Sequence, residues 1–201
     1  MIIDPTAESY PDIYRLMTGI IVPRPIALVS TLSSDGVRNL APFSFFNGVC
    51  SNPPVVCFST AIHRDGTRKD TYNNIAATKE FVVNVVSMEI AEQMNRCSAD
   101  VPPEVDEFAL SGLTPVESDF IKPPRVKESR ASMECRLLQV VDFGSGPGSA
   151  STIFGRVLRF HLLGELFDAY RVDPDKLDAV GRMGGATYAR TRERFSMTRP
   201  K

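Results

Sequence analysis

Only two histidines, His63 and His161, occur in the 201 residues of this chain. A metal site built from three histidines is thereby excluded, and neither histidine stands in the partner set of a serine or cysteine hydrolase triad. The four cysteines, Cys50, Cys57, Cys97 and Cys135, are scattered without a Cys-x-x-Cys pair, so zinc-type spacing is missing as well. In a cytosolic setting they are free thiols, and the apolar runs around Cys57 and Cys135 predict burial. An excess of one charge is also lacking. With 23 basic and 24 acidic residues the formal net charge is -1, which offers no basic field to nucleic acid and no polybasic signal to a membrane. No apolar run approaches the ~20 residues of a bilayer span. The opening Met1-Ile2-Ile3-Asp4-Pro5 has neither a basic stretch nor a long apolar one, which predicts a cytoplasmic protein without a signal peptide. No Gly-x-Gly-x-x-Gly follows a strand. The Gly144-Ser145-Gly146-Pro147-Gly148-Ser149 run lacks the Lys-Ser/Thr ending of a P-loop and joins two strands, so it reads as a hairpin tip.

What the chain does have is 43% hydrophobic residues, enough for the core of one domain spanning residues 1–201. Residues 10–18 have helical spacing, with Tyr10, Ile13, Leu16 and Met17 on one face and Gly19 as a stop. A strand over 25–32 turns at Asp35-Gly36, returns through 37–46 and breaks at Asn52-Pro53-Pro54. Further strands are predicted at 55–59, 81–86, 131–143 and 152–163. A helix starts at Asp70 or Thr71, another covers 88–97 with Ser87 as its cap, and residues 106–110 make one helical turn. About six strands without regular β-α alternation describe a mainly β fold, a barrel with a few short helices.

Two clusters stand out. Arg68-Lys69-Asp70-Thr71 sets cations and a hydroxyl at a helix start, which suits a phosphate as well as a solvated cap. In Ala41-Pro42-Phe43-Ser44-Phe45-Phe46-Asn47, alternation puts Phe43 and Phe45 on one side. Pro42 removes a ladder donor, as at a strand end or edge. Such a run suits a flat ligand with apolar faces and a hydrogen-bonding rim, or else a core strand with Asn47 in a turn. Ser30 and Thr31 close the preceding strand, facing a ligand or the turn. Arg182 and Tyr188, beside Gly184-Gly185, reach a second ligand or dock the C-terminus. Together the clusters point to flavin mononucleotide.

The segments Pro23-Arg24-Pro25-Ile26-Ala27-Leu28-Val29-Ser30-Thr31, Asn39 to Asn47, Lys69-Asp70-Thr71-x-x-Asn74-Ile75 and Glu80-Phe81-Val82-Val83-Asn84 resemble the flavin reductase-like, FMN-binding split-barrel family, in its flavoredoxin branch. Val105-Asp106-Glu107-Phe108, Gly112-Leu113-Thr114-Pro115 and Gly181-Arg182-x-Gly184-Gly185-x-x-Tyr188 continue the likeness over nearly the whole chain. The resemblance implies a six-stranded split barrel that forms a homodimer, with FMN near the subunit interface. Carried over by position, Ser30, Thr31, Ala41, Pro42, Phe43 and Ser44 line the flavin, Asn47 lies near the ring, and Lys69, Asp70 and Thr71 form the phosphate end. It further implies an NAD(P)H:flavin reductase, with NADH or NADPH as co-substrate and free flavin as a further ligand. The alternatives are an electron carrier for a redox protein partner, or an FMN-binding protein without nicotinamide-dependent activity. The flavin carries the chemistry, so no catalytic side chain and no metal is expected. His161, Arg182 and Tyr188 are the candidate contacts to a second ligand.

Overall fold

The computed structural model describes residues 1–63 and 65–200. Seven strands form one antiparallel sheet: β1 Ala27–Leu32, β2 Arg38–Phe43, β3 Phe46–Ser51, β4 Pro54–Ala61, β5 Glu80–Val85, β6 Ala131–Phe143 and β7 Ala150–Leu162. Their order across the sheet is β2-β1-β5-β6-β7-β4-β3. Its two edges, β2 and β3, are consecutive in the chain, so the sheet curls until its edges face each other without pairing. That is a split barrel, with one strand more than expected. The predicted return strand over 37–46 ends at Phe43, and β3 begins at Phe46. β3 escapes a reading of the sequence because, among the described residues, it pairs only with β4 and is exposed along almost its whole length, so it shows no apolar alternation.

The barrel is filled by Ala27, Val29, Phe58, Phe81, Val83, Cys135 and Ile153. A second core, of Ile26, Leu28, Leu40, Ile90, Met94 and Phe108, covers the other face of β1. Both faces of β1 are therefore buried, which accounts for its unbroken apolar run. Cys135 is fully buried and Cys57 half-buried. The aromatic run breaks its expected alternation. Phe43 and Phe46 both pack on the barrel core, because the bend at Ser44-Phe45 separates them, while Phe45 turns out to Tyr14 with ring centroids 6.3 Å apart.

Helix α1, Tyr10–Ile20, runs past Gly19 to the point where Arg24 donates to Thr18 O in its last turn at 2.7 Å and to Ile21 O at its C-cap at 2.8 Å. Within α1 only Thr18 is buried, so Leu16, Met17 and Ile20 remain exposed. Helix α2, Asp70–Thr78, lies against β1 and sends Ile75 into the barrel. After the 3₁₀ turn Met88–Ile90 come α3, Ala91–Arg96, and α4, Glu107–Ser111. Ser87 stands before that turn, but its hydroxyl makes no capping bond. The 144–149 run is the tip of the β6–β7 hairpin, as expected.

Gly155 in β7 is a packing requirement. A Cβ there would stand 2.2 Å from Phe81 Cζ and 3.3 Å from Cys135 Cβ, and Phe81 is itself held edge-on to Phe58 at 5.5 Å. Gly155→Ala is expected to lower the unfolding free energy by about 1–3 kcal/mol through overpacking. Gly146→Ala at the hairpin tip meets nothing within 4 Å and should leave urea-unfolding curves unchanged.

Candidate functional site

Three cavities meet where the barrel is split. Their linings share Pro42, and in pairs they share Phe43, Ser44, Lys69 and Ser98. Pro42 marks the meeting point for a backbone reason. The Leu40 N–H points away from β1, to Glu107 Oε2 at 3.1 Å. Two residues later Pro42 takes the same outward position with no N–H at all, so β2 cannot donate to a further strand there.

The largest cavity, about 700 Å³, is walled by the start of α2. The N-cap position of α2 is Lys69, and no side chain caps it, although Asp70 and Thr71 were the expected caps. The first-turn N–H groups are left without a side-chain acceptor at the cleft wall, the arrangement that favours an anion. Lys69 Nζ reaches Asp100 Oδ1 across the mouth at 3.3 Å. Both side chains are well exposed, so that pair contributes little and leaves Lys69 free to meet an incoming anion. Arg68 is committed elsewhere, to Asp142 at 2.9 Å and over the Tyr72 ring at 4.4 Å. Thr71 is buried and its hydroxyl donates to Asn39 Oδ1 at 2.8 Å. What Thr71 presents to the cleft is its backbone.

Asn39 joins the walls of this cavity. Its Oδ1 also accepts from Thr31 Oγ1 at 3.1 Å, and its Nδ2 donates to Glu107 Oε1 at 2.9 Å. Asn74 Nδ2 completes the set on Thr31 at 3.0 Å. Burial pushes the Glu107 carboxyl above the usual range, against the pull of the Leu40 N–H and the Asn39 amide. Burial likewise raises the neighbouring Cys97 thiol to about 11, so it stays protonated and unreactive.

A second cavity, about 670 Å³, runs from Phe43, Ser44 and Phe45 to Tyr10, Tyr14 and the hairpin tip at Gly148. The third, about 390 Å³, lies between α1, α3 and the segment from Arg182 to Tyr188. Its wall is built on Arg24. This buried guanidinium binds Thr18 O and Ile21 O, donates to Met183 O at 3.0 Å and points Nε at Ser44 Oγ, 3.3 Å away. Cation and helix C-terminus are well matched electrostatically.

Ala41, Pro42, Phe43, Ser44, Lys69, Asp70 and Thr71 thus gather around one space, and Arg182 and Tyr188 line its third arm. Four expected contacts lie elsewhere. Ser30 is fully buried and donates to Pro124 O, and Thr31 sits beneath Asn39. Asn47 is exposed on β3 with its Oδ1 on the Gly48 N–H at 2.9 Å. His161 lies outside all three cavities, 2.6 Å from the buried Glu134. Burial raises the Glu134 carboxyl, but the Asp119 and Phe120 N–H groups together with His161 bring it below the usual range. That cluster holds the 119–120 loop on the barrel. Arg24, Asn39 and Glu107 were not expected at the site. Asn39 and Glu107 bind each other across 68 residues, and Arg24 adds Ser44 and Met183 to its two nearby carbonyls, which no local pattern announces.

Residues 18–180 match the family model described as the flavin reductase like domain. Component B of nitrilotriacetate monooxygenase from Bacillus cereus superposes with a TM-score of 0.94, at 36% identity over 98% of both chains. The 2-nitrobenzoate 2-nitroreductase of Pseudomonas fluorescens superposes with a TM-score of 0.90, at 34% identity over 100% of this chain and 96% of its own. The flavoredoxin of Desulfovibrio vulgaris (Miyazaki F) shares the fold, with a TM-score of 0.76 at 19% identity over 98% of this chain and 97% of its own.

Arg24→Lys keeps the charge but not the planar fork that serves several carbonyls at once. It is expected to cost about 1–3 kcal/mol in urea unfolding, because buried carbonyls lose their donor. A cost below experimental error would show that charge alone holds α1 to the 182–188 segment.

Proposed function

The chain belongs to the flavin reductase-like domain family, and on that premise we propose that it is an FMN-dependent oxidoreductase reduced by NADH or NADPH. One observation carries this reading: a cleft with an uncapped helix N-terminus and Lys69 at one end, and the donor-less edge of β2 at Pro42 along its side. The first suits a phosphomonoester, and the second leaves a backbone rim for a planar heterocycle. The residues fit FMN. Lys69 and the first-turn N–H groups of α2 would hold its phosphate, and Ala41 to Ser44 would flank its ring system. Bound there, FMN would supply two-electron acceptance from a reduced nicotinamide. The protein's part is placement and the exclusion of water by Phe43, Phe45 and Tyr14. The second cavity supports a nicotinamide substrate, since it adds about 670 Å³ with aromatic walls beside Phe43 and Ser44. Neighbours named as a monooxygenase component and a nitroreductase agree with an oxidoreductase.

A homodimer is part of this reading. Among the described residues the β3 edge pairs with no further strand, and α1 with its C-cap leaves Leu16, Met17, Ile20 and Ile21 exposed on the segment leading to Arg24–Pro25, which lies against β3. Burying that edge and apolar face against a second copy would bring the partner's surface, and with it the exposed Asn47, close to the cleft. Light scattering should give twice the chain mass. A monomer at micromolar concentration would remove this element.

The first experiment is anaerobic stopped-flow mixing of the FMN-loaded protein with NADH or NADPH. Saturable bleaching of flavin absorbance by one of them is expected. If neither bleaches it while dithionite does, the protein is an electron carrier or FMN-binding protein instead. In flavin fluorescence titrations Lys69→Gln should weaken FMN binding about tenfold, the order expected for one charge-assisted phosphate contact. Unchanged affinity would move the phosphate away from α2.

A further inference from the structure

The third cavity has a charge imbalance that flavin binding leaves unused. Its described lining holds Arg15, Arg24 and Arg182, with no Asp or Glu. Two of these cations are already occupied. Arg15 pairs with Asp12 at 2.8 Å on the surface of α1, and Arg24 is spent on backbone carbonyls and Ser44. Arg182 differs. Its guanidinium lies over the Tyr188 ring, 4.5 Å from the centroid, bonds the Tyr188 hydroxyl and donates to Gly185 O at 2.6 Å. No carboxylate among the described residues pairs with it, and its Nε–H is engaged by none of their acceptors. Burial draws the Arg24 guanidinium below its usual value, with Tyr14 opposing the shift and the charge of Arg182 adding to it. Arg24 and Arg182 therefore share one recess in which no carboxylate stands among the described residues, and of the two it is Arg182 that an anion would complete.

The other walls narrow the class of anion. Ile26 and Met94 supply apolar contact, Tyr14 and Tyr188 aromatic contact, and Ser44 and Ser98 hydroxyls. At about 390 Å³ the space is near the lower end for ligand pockets, room for one substituted ring and too small for a whole dinucleotide. We propose that this arm binds a small aromatic carboxylate, with the carboxylate paired to Arg182 and the ring against Ile26, Met94 and the tyrosines. A planar guanidinium presents two parallel N–H groups to a carboxylate, which an amide of the same shape cannot match. The arm shares Pro42 and Ser98 with the proposed flavin cleft, so its occupant would lie beside the flavin. Its role as a substrate rests on the flavin reading; its binding does not.

Calorimetric titration of the FMN-saturated protein with benzoate, and separately with the neutral benzamide, tests the proposal. Benzoate should bind at least tenfold more tightly than benzamide, and Arg182→Gln should abolish that preference. Arg182→Lys should recover part of it, and raised salt should weaken benzoate only. Flavin fluorescence in the same samples should show FMN affinity within twofold of the parent for both variants. Equal binding of benzoate and benzamide by the parent protein overturns the proposal whether or not the variants fold. So does Arg182→Gln without effect, and so does an Arg182-dependent response to inorganic phosphate or NADPH with none to benzoate. Loss of FMN with benzoate still bound would strike the flavin reading and leave the carboxylate site standing.

Discussion

The sheet cannot close between β2 and β3, and the rest of the structure is arranged around that gap. Two consecutive strands form its opposite edges, so the chain itself crosses the split at Ser44-Phe45. Pro42 removes the outward donor on one edge, and the bond from Ser59 N–H to Phe45 O at 2.9 Å ties the crossing to the other side. Inside, the aromatic series Phe43, Phe58 and Phe81 keeps the core continuous at centroid spacings of 5.0 and 5.5 Å. The gap is thus sealed on the core side and open outside. Backbone groups that a closed barrel would have spent on a ladder border a cleft instead.

Two buried charges stiffen the walls on either side. Among the described residues Arg24 and Glu107 each lack a counter-ion, and each is satisfied by hydrogen bonds: carbonyls for the cation, a backbone N–H and an amide for the anion. A desolvated charge is tolerable only when its hydrogen-bonding capacity is met. The requirement fixes geometry, since losing one partner leaves the charge exposed to that penalty. Arg24 draws α1, Ser44 and the 183 region together, and Glu107 sets α4 against β2 beneath Asn39. The cleft is in consequence polarised, with cations in the arm beside α1 and a neutral or acidic floor beside α4.

Much of this was legible along the chain. Phe81 to Val86 declares a strand by β-branched content alone, the Asp35-Gly36 turn sets the β1–β2 hairpin, and the 144–149 glycines mark the tip between two long strands. The cluster at 68–71 is local too, because a helix start needs only its own first turn. β3 was not legible: a strand exposed on both faces has no periodicity to read. Nor was the inward turn of Ser30 and Thr31, since alternation says which residues share a face but not which face meets a ligand.

The sequence by itself determined every barrel strand but β3, the helix starts and the segments that carry the candidate cofactor site, because these depend on neighbours a few residues away. Only the tertiary structure decided which side chains line the cleft and what charge it presents. That rests on contacts such as Arg24 with Met183 and Asn39 with Glu107. Such contacts exist only once the barrel has curled far enough to bring its unpaired edges face to face.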